Sequence, residues 1–190
     1  MVAAMELVRP TLFMLDEYRA ALEAGFSPGN VDPEVVRLDH LARVDSAPAG
    51  LLAELHDPEA RGPAFVQADG TVHARLPGYT RWMWHDHAFA GAINLRWQPG
   101  TSELPPGVPG HVGYVVAEPF RGRGFATQAL RAIGREAKTL GLRHIDLTVQ
   151  ADNPASIRTI EKAGGAEIGV FDPGDLHHQC ARAQLWRIVL

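Results

Sequence analysis

The 190-residue chain is 46% hydrophobic and 21% charged, the balance of one globular domain with room for a substantial core rather than of a disordered segment. A formal net charge of -4 argues against a general nucleic-acid binder, whose footprint is basic. The single cysteine, Cys180, excludes an intrachain disulfide; no apolar run reaches a membrane span; and the opening MVAAMELVRP lacks the basic region and apolar core of an export signal, so a soluble cytoplasmic protein without a membrane partner is expected.

In chain order, ELVRPT reads as a short strand ending at Pro10. Leu12, Leu15, Tyr18 and Leu22 follow at helical spacing, and Gly25 stops that helix. FSPGNVDP is turn chemistry, and residues 33–58 read as helix in two pieces broken near Ser46 to Pro48. Two strands, YTRWMWH and AFAGAINLRWQ, flank a polar HDH turn and predict a hairpin. After a Pro/Gly-rich loop comes the strand HVGYVVA, then a helix over 124–140 with Phe125, Leu130, Ile133, Ala137 and Leu140 roughly along one face. HIDLTVQ is the next strand. NPASIRTIEKAGG is a helix with Asn153 at its cap and Pro154 in its first turn, and AEIGVF and RAQLWRIVL are the last strands. Strand, helices, three strands, helix, strand, helix, two strands is an α/β order with a mixed sheet.

The stretch EPFRGRGFA, Glu118 to Ala126, joins a strand to a helix through a glycine-rich turn, which is the layout that holds phosphate. A P-loop requires a lysine and then Ser or Thr directly after its last glycine, whereas Gly124 is followed by Phe125 and Ala126. A dinucleotide turn requires a third glycine where Thr127 stands, and its ribose-binding acid belongs at a strand end, whereas Asp146 is mid-strand. The remaining pattern is Gln/Arg-x-x-Gly-x-Gly/Ala, the pyrophosphate loop of an acyl-CoA site, which Arg121, Gly124 and Ala126 match. Small residues let backbone N–H groups of Gly122 to Ala126 crowd a pyrophosphate, the following helix presents its positive end, and Arg121 and Arg123 add charge. Read alone, the turn is equally a solvated basic cap.

A second motif accompanies it. Asn153, Ser156, Glu161, Lys162 and Gly164 form an Asn at a helix start, a small residue three on, and a Glu-Lys-x-Gly ending. With both motifs, Gly110 to Gly165 resembles the GNAT superfamily of acyltransferases nearly continuously. More loosely, LVRPT, INLR and GHVGY resemble a bacterial branch of predicted acetyltransferases that has no well-defined substrate.

The resemblance implies a GNAT-like fold over 1–190, with a mixed, mostly antiparallel sheet, helices on both faces and an acyl-CoA-binding core at about 110–165. It implies acetyl-CoA as cosubstrate and no metal. The strand before the turn splays from the next one, and the pantetheine arm lies in the gap. Val116 then offers backbone groups to it, a backbone N–H near Tyr114 to Val116 stabilises the oxyanion, and Val116, Arg121, Gly122, Arg123, Gly124, Phe125, Ala126, Asn153 and Ser156 form the cofactor set.

The reaction implied is direct attack of an amine on the thioester, which requires the amine's proton to be removed. His111 and Tyr114 are the polar candidates for base, with Glu103 in the preceding loop. In an unbroken strand His111 and Tyr114 cannot share a face, and a bulge near Gly113 would change that. Many family members carry a tyrosine that protonates the leaving thiolate where this chain has Ile160; Ser156 is another donor. The acceptor is a small-molecule amine or a peptide N-terminus, and a homodimer is compatible with the fold. Phe26, Trp84, Trp97 and His178 are expected near the acceptor. The short HDH and HHQC clusters, His85 to His87 and His177 to Cys180, read as polar turns rather than metal sites.

Overall fold

The computed structural model describes residues 4–30, 32–66, 72–171 and 183–190. The elements are β1 (Glu6–Val8), a 3₁₀ turn at Leu12–Met14, α1 (Leu15–Glu23), α2 (Pro33–Ser46), α3 (Pro48–Glu54), β2 (His56–Asp57), β3 (Phe65–Val66), β4 (Val72–His73), β5 (Gly78–His85) and β6 (Ala88–Arg96). They continue with β7 (Val112–Val116), a 3₁₀ turn at Glu118–Phe120, α4 (Phe125–Thr139), β8 (His144–Val149), α5 (Pro154–Lys162), β9 (Ala166–Phe171) and β10 (Ala183–Val189). The HHQC cluster and His178 lie outside the described residues.

One sheet has the order β1-β5-β6-β7, with β2 also paired to β5; a second has the order β8-β10-β9; β3 and β4 form a separate ladder. Every ladder among the described residues is antiparallel. The predicted hairpin is β5–β6, and its turn residues Asp86 and His87 have φ of 49° and 64°, the left-handed pair that a two-residue hairpin turn requires.

Strand alternation sends side chains to both faces of the first sheet. Met83, Ile93 and Leu95 join Leu130 and Ile133 of α4 in one core, while Trp82, Phe89 and Ala92 join Tyr18 and Leu22 of α1 and Leu51 of α3 in the other. Helices therefore cover both faces, as the resemblance implied. A register shift between Met83 and Trp84 marks a bulge at Ala90 of β6. Next to it, a Cβ on Gly91 would lie 2.5 Å from the carbonyl oxygen of Val115, so glycine is what lets β6 and β7 approach there.

α4 buries Phe125, Leu130 and Ile133 along one face, each worth roughly 1.5–3 kcal/mol of apolar burial. Arg81 of β5 holds the same helix through a 2.9 Å ion pair with Glu136. α5 starts with the side chain of Asn153 accepting a 3.1 Å hydrogen bond from the N–H of Ser156, with Pro154 in its first turn. That is the capping chemistry the sequence predicts.

Candidate active site

The two larger sheets meet at one point. Gly110 bridges to Leu147, and the N–H of His111 donates to the carbonyl of Asp146 at 2.7 Å. Gly110 has φ +128°, and a Cβ there would lie 2.8 Å from the Asp146 oxygen, so glycine is required where the sheets touch. Beyond this point, among the described residues, β7 pairs only with β6, in unbroken register from Leu95↔Val112 to Gly91↔Val116. No bulge interrupts that register at Gly113, the feature that would have been needed to bring His111 and Tyr114 to one face.

The pairing decides which peptide groups of β7 are available. The N–H of Ala117 donates to Ala90, and the Val115 carbonyl sits against Gly91. Peptide groups alternate edges along a strand, so those of Tyr114 and Val116 point to the opposite, open edge. Arg121 reaches back to that edge and donates from Nε to the Val116 carbonyl at 3.2 Å. Between the open edge and β8 lies a cleft of about 840 Å³. β7 supplies Tyr114 and Val115 to one wall, β8 and α5 supply Thr148, Asn153 and Ser156 to another, and the α1–α2 loop contributes Pro28 to Asn30.

At the far end of β7 the chain turns through Arg121 to Gly124 into α4. Gly122 and Gly124 have φ of +76° and +77°, and nothing lies within 4 Å of a Cβ built on either. Glycine is needed there for backbone conformation, with open space left in front of the backbone. Among the described residues no side chain caps the N-terminus of α4, in contrast to α5. Its first-turn N–H groups and positive dipole end are thus presented to a ligand, the arrangement that suits a pyrophosphate. Arg121 and Arg123 are exposed beside it, and the Arg123 guanidinium lies 5.3 Å from the Phe120 ring centroid. Phe125 is the exception in the turn, since its side chain is buried and only its backbone faces the site.

Across the cleft, the Tyr114 hydroxyl reaches α5 and donates to the Ser156 carbonyl at 3.4 Å. Burial pushes the Tyr114 phenol above its ordinary value, and hydrogen bonding to Ser156 and Thr159 only partly offsets this. A phenol in that state is a proton donor, not a base, near neutrality. Ile160 is 1% exposed and packs in the core against Gly165, and it also borders the cleft beside Ser156.

His111 is 0% exposed and does not line the cleft. Its Nδ1 accepts the N–H of Asp146 at 2.9 Å, and its Nε2 is buried without a hydrogen-bond partner. Burial lowers its pKa to about 4. Tyr114 and His111 therefore do not come together, whereas Tyr114, Asn153 and Ser156 line the same cleft, and Val116 meets Arg121 on the open edge of β7. Glu103 belongs to a separate group with His144 and Asp146, whose ligand-type atoms lie within 4.8 Å of one another. Arg187 already occupies the cationic place there, at 2.7 and 2.9 Å from the two Asp146 oxygens and 3.6 Å from Glu103.

Of the aromatic residues expected near the acceptor, Trp97 packs on Tyr79 in the core and Trp84 packs beside the α1-side core. Phe26 lines a smaller cavity of about 300 Å³ between α1 and the glycine turn. Sequence reasoning missed Asn94 and Arg96. Their signal was present in INLR, where polar residues alternate with Ile93 and Leu95 and so face the opposite side of the sheet from the α4 core.

A sequence profile described as the acetyltransferase (GNAT) domain matches residues 31–166. An uncharacterised N-acetyltransferase, YycN of Bacillus subtilis, is 40% identical over 53 residues; these cover 28% of this chain and 34% of that protein, so the match spans about a third of the relative. Two solved structures share the fold. RimJ of Mycobacterium smegmatis, in complex with CoA-disulfide, has a TM-score of 0.66 at 17% identity, covering 97% of this chain and 81% of that one. RimL, a ribosomal L7/L12 alpha-N-protein acetyltransferase in complex with coenzyme A, has a TM-score of 0.62 at 15% identity, covering 98% and 94%. The profile match runs from just before α2 through the glycine turn and α5, and on that ground the chain belongs to the GNAT acetyltransferase family.

Proposed function

We propose that the protein transfers the acetyl group of acetyl-CoA to an α-amine by direct attack on the thioester. The observation that carries this reading is the open edge of β7, which leads from the cleft to the uncapped N-terminus of α4. Pantetheine pairs along that edge like an added strand, and its pyrophosphate lies over Gly122 to Ala126 with Arg121 and Arg123 beside it. Asn153 and Ser156 of α5 close the other side. The N–H of Tyr114 or Val116 donates to the oxyanion of the tetrahedral intermediate. The thiolate then leaves toward the α5 wall, where the Tyr114 hydroxyl supplies its proton.

The α-amine follows from what lines the cleft. Among the described lining residues there is no carboxylate and no imidazole. A lysine-type amine with a pKa of about 10.4 is neutral in only about one molecule in 2,500 at pH 7, whereas an α-amine near 7.8 is neutral in about one in seven. An acceptor of the second kind reacts without a strong base, giving up its proton to water. RimL, named as an alpha-N-protein acetyltransferase, uses such an acceptor.

The test is incubation with acetyl-CoA and matched α- and ε-amine peptides, with released thiol and acetylated product both measured. The expected result is thiol release with the α-amines, rising with pH between about 6 and 8. Tight acetyl-CoA binding without thiol release for any amine would instead establish an acyl-CoA-binding module without turnover, which Ile160 in place of the family tyrosine would then explain.

A further inference from the structure

We infer that Arg121 sets donor specificity by closing the open edge of β7, so that a pantetheine arm gains the edge only when the donor's own pyrophosphate draws Arg121 away. This rests on the acetyl-CoA reading above and goes beyond it, from where the pyrophosphate lies to why the arm requires it.

The chain itself brings Arg121 back to the edge. In the 3₁₀ turn at Glu118–Phe120 the N–H of Phe120 donates to the Ala117 carbonyl at 2.9 Å, and the N–H of Arg121 to the Glu118 carbonyl at 3.2 Å. The turn leaves Arg121 with its Nε donating to the Val116 carbonyl at 3.2 Å. That carbonyl is on the edge that β6 does not use, the one an added strand would take. Arg121 is exposed and forms no ion pair among the described residues. Its side chain is therefore held at the edge by a carbonyl, with no carboxylate to compete for it.

Two magnitudes decide what displaces it. A strand added to β7 lies about 4.8 Å away, and a nitrogen 3.2 Å from the Val116 oxygen stands inside that space. Arm and side chain cannot both occupy it. The pantetheine amide is a neutral donor, whereas a bond from a guanidinium is charge-assisted and about twice as strong. The arm alone thus loses the exchange. A pyrophosphate over Gly122 to Ala126 reverses it, because it offers the guanidinium an ionised, bidentate acceptor close to where it already sits. The open space in front of Gly122 and Gly124 leaves room for that acceptor. Phosphate and pantetheine then bind with positive coupling, each improving the other's affinity by the same factor.

The experiment splits the donor in two. Pantetheine is titrated into the full-length protein with and without saturating inorganic pyrophosphate, and the amide chemical shifts of β7 report its affinity into the millimolar range. Pyrophosphate should tighten pantetheine by about fivefold or more in the parent, while chloride at matched ionic strength should not. In Arg121→Ala, pantetheine should bind without pyrophosphate as tightly as it binds the parent with it, and the coupling should vanish. Arg123→Ala removes an equal charge from the same turn without touching Val116, so its coupling should persist. Equal pantetheine affinity with and without pyrophosphate in the parent, or coupling that survives Arg121→Ala, would overturn the inference.

A second readout is kinetic. Turnover of S-acetylpantetheine with an α-amine peptide should rise with added pyrophosphate in the parent and be insensitive to it in Arg121→Ala. Coupled binding without thiol release for any amine would sink the transferase reading and keep the Arg121 exchange. Thiol release from acetyl-CoA together with uncoupled pantetheine binding would do the reverse. If pantetheine moved no β7 amide under either condition, the arm would leave this edge and Arg121 would lose its role with it.

Discussion

Tyr114 and His111 lie three residues apart and end on different sides of the same boundary. Tyr114 faces the cleft with its phenol on α5, so its removal should be read in catalysis. Expelling a thiol of pKa about 8.5 as thiolate at pH 7 costs roughly 2 kcal/mol, about thirtyfold in rate. Tyr114→Phe should therefore lower kcat by up to about thirtyfold at pH 7, leave acetyl-CoA affinity unchanged, and lose less as pH rises past about 8.5. A pH-rate profile with direct binding of acetyl-CoA checks this. His111 should instead be read in stability. Burial holds its folded pKa at about 4 against the 6.5 of an exposed imidazole. Protonating Nδ1 would also place a donor against the Asp146 N–H. A depressed pKa means that the contribution is fully present above pH about 6.5 and is lost as pH falls toward 4, worth about 3 kcal/mol in all. In His111→Gln the melting temperature should fall less steeply between pH 6.5 and 4 than in the parent, with turnover at pH 7.5 within severalfold. A hundredfold loss of turnover would return His111 to the reaction as its base.

At the scale of elements, the decisive unit is the glycine turn with α4 behind it. The helix core of Phe125, Leu130 and Ile133 holds the N-terminus in place, and the turn leaves it uncapped. Gly124→Glu should abolish acetyl-CoA binding, because it puts a carboxylate where the pyrophosphate is drawn by the helix dipole and the N–H groups. Gly124→Ala separates the causes. Open space surrounds that Cβ, so only the φ of +77° is strained, and this should cost about 1 kcal/mol of stability with most of the affinity retained. Equal loss of affinity in both variants would mean that backbone conformation, not charge, sets the site. These elements were legible because local chemistry determines them: helical periodicity under α4, a cap and proline at α5, glycines at the turn. The bulge at Ala90 was not legible, because it answers to the approach of β6 and β7 at Gly91.

For the whole molecule, the proposed site would have the cosubstrate bridge two sheets whose backbone hydrogen bonding to each other, among the described residues, is at Gly110, Leu147 and the His111–Asp146 bond. Acetyl-CoA should raise the melting temperature, by the equivalent of about 2.7 kcal/mol at one hundred times its Kd. Differential scanning fluorimetry across a concentration series tests this, and no shift at millimolar acetyl-CoA would remove the cofactor from the proposal. If the ligand binds the open edge as proposed, hydrogen exchange should slow along β7 and β8 together, and slowing confined to other elements would place it elsewhere.

Taken by itself, the sequence determined the order of the longer elements, the glycine turn, the Asn153 cap and the family resemblance of Gly110 to Gly165, while the short strands β2, β3 and β4 were not read from it and β2 falls where helix was expected. Each of the features it determined is written in residues close together along the chain: period, cap, turn glycine, motif spacing. It left open which polar side chain near β7 faces the cleft, because that depends on strand parity, on the register with β6 and on a contact from β8. Only the tertiary structure decided that His111 is spent on the Asp146 N–H and that Tyr114 crosses to α5. The fate of Ile160 was decided in the same way, by Gly165 packed against it in the core. Arg96 shows the same limit from the other side. Its charge is plain in the sequence, but its place in the cleft comes from the sheet that carries it there.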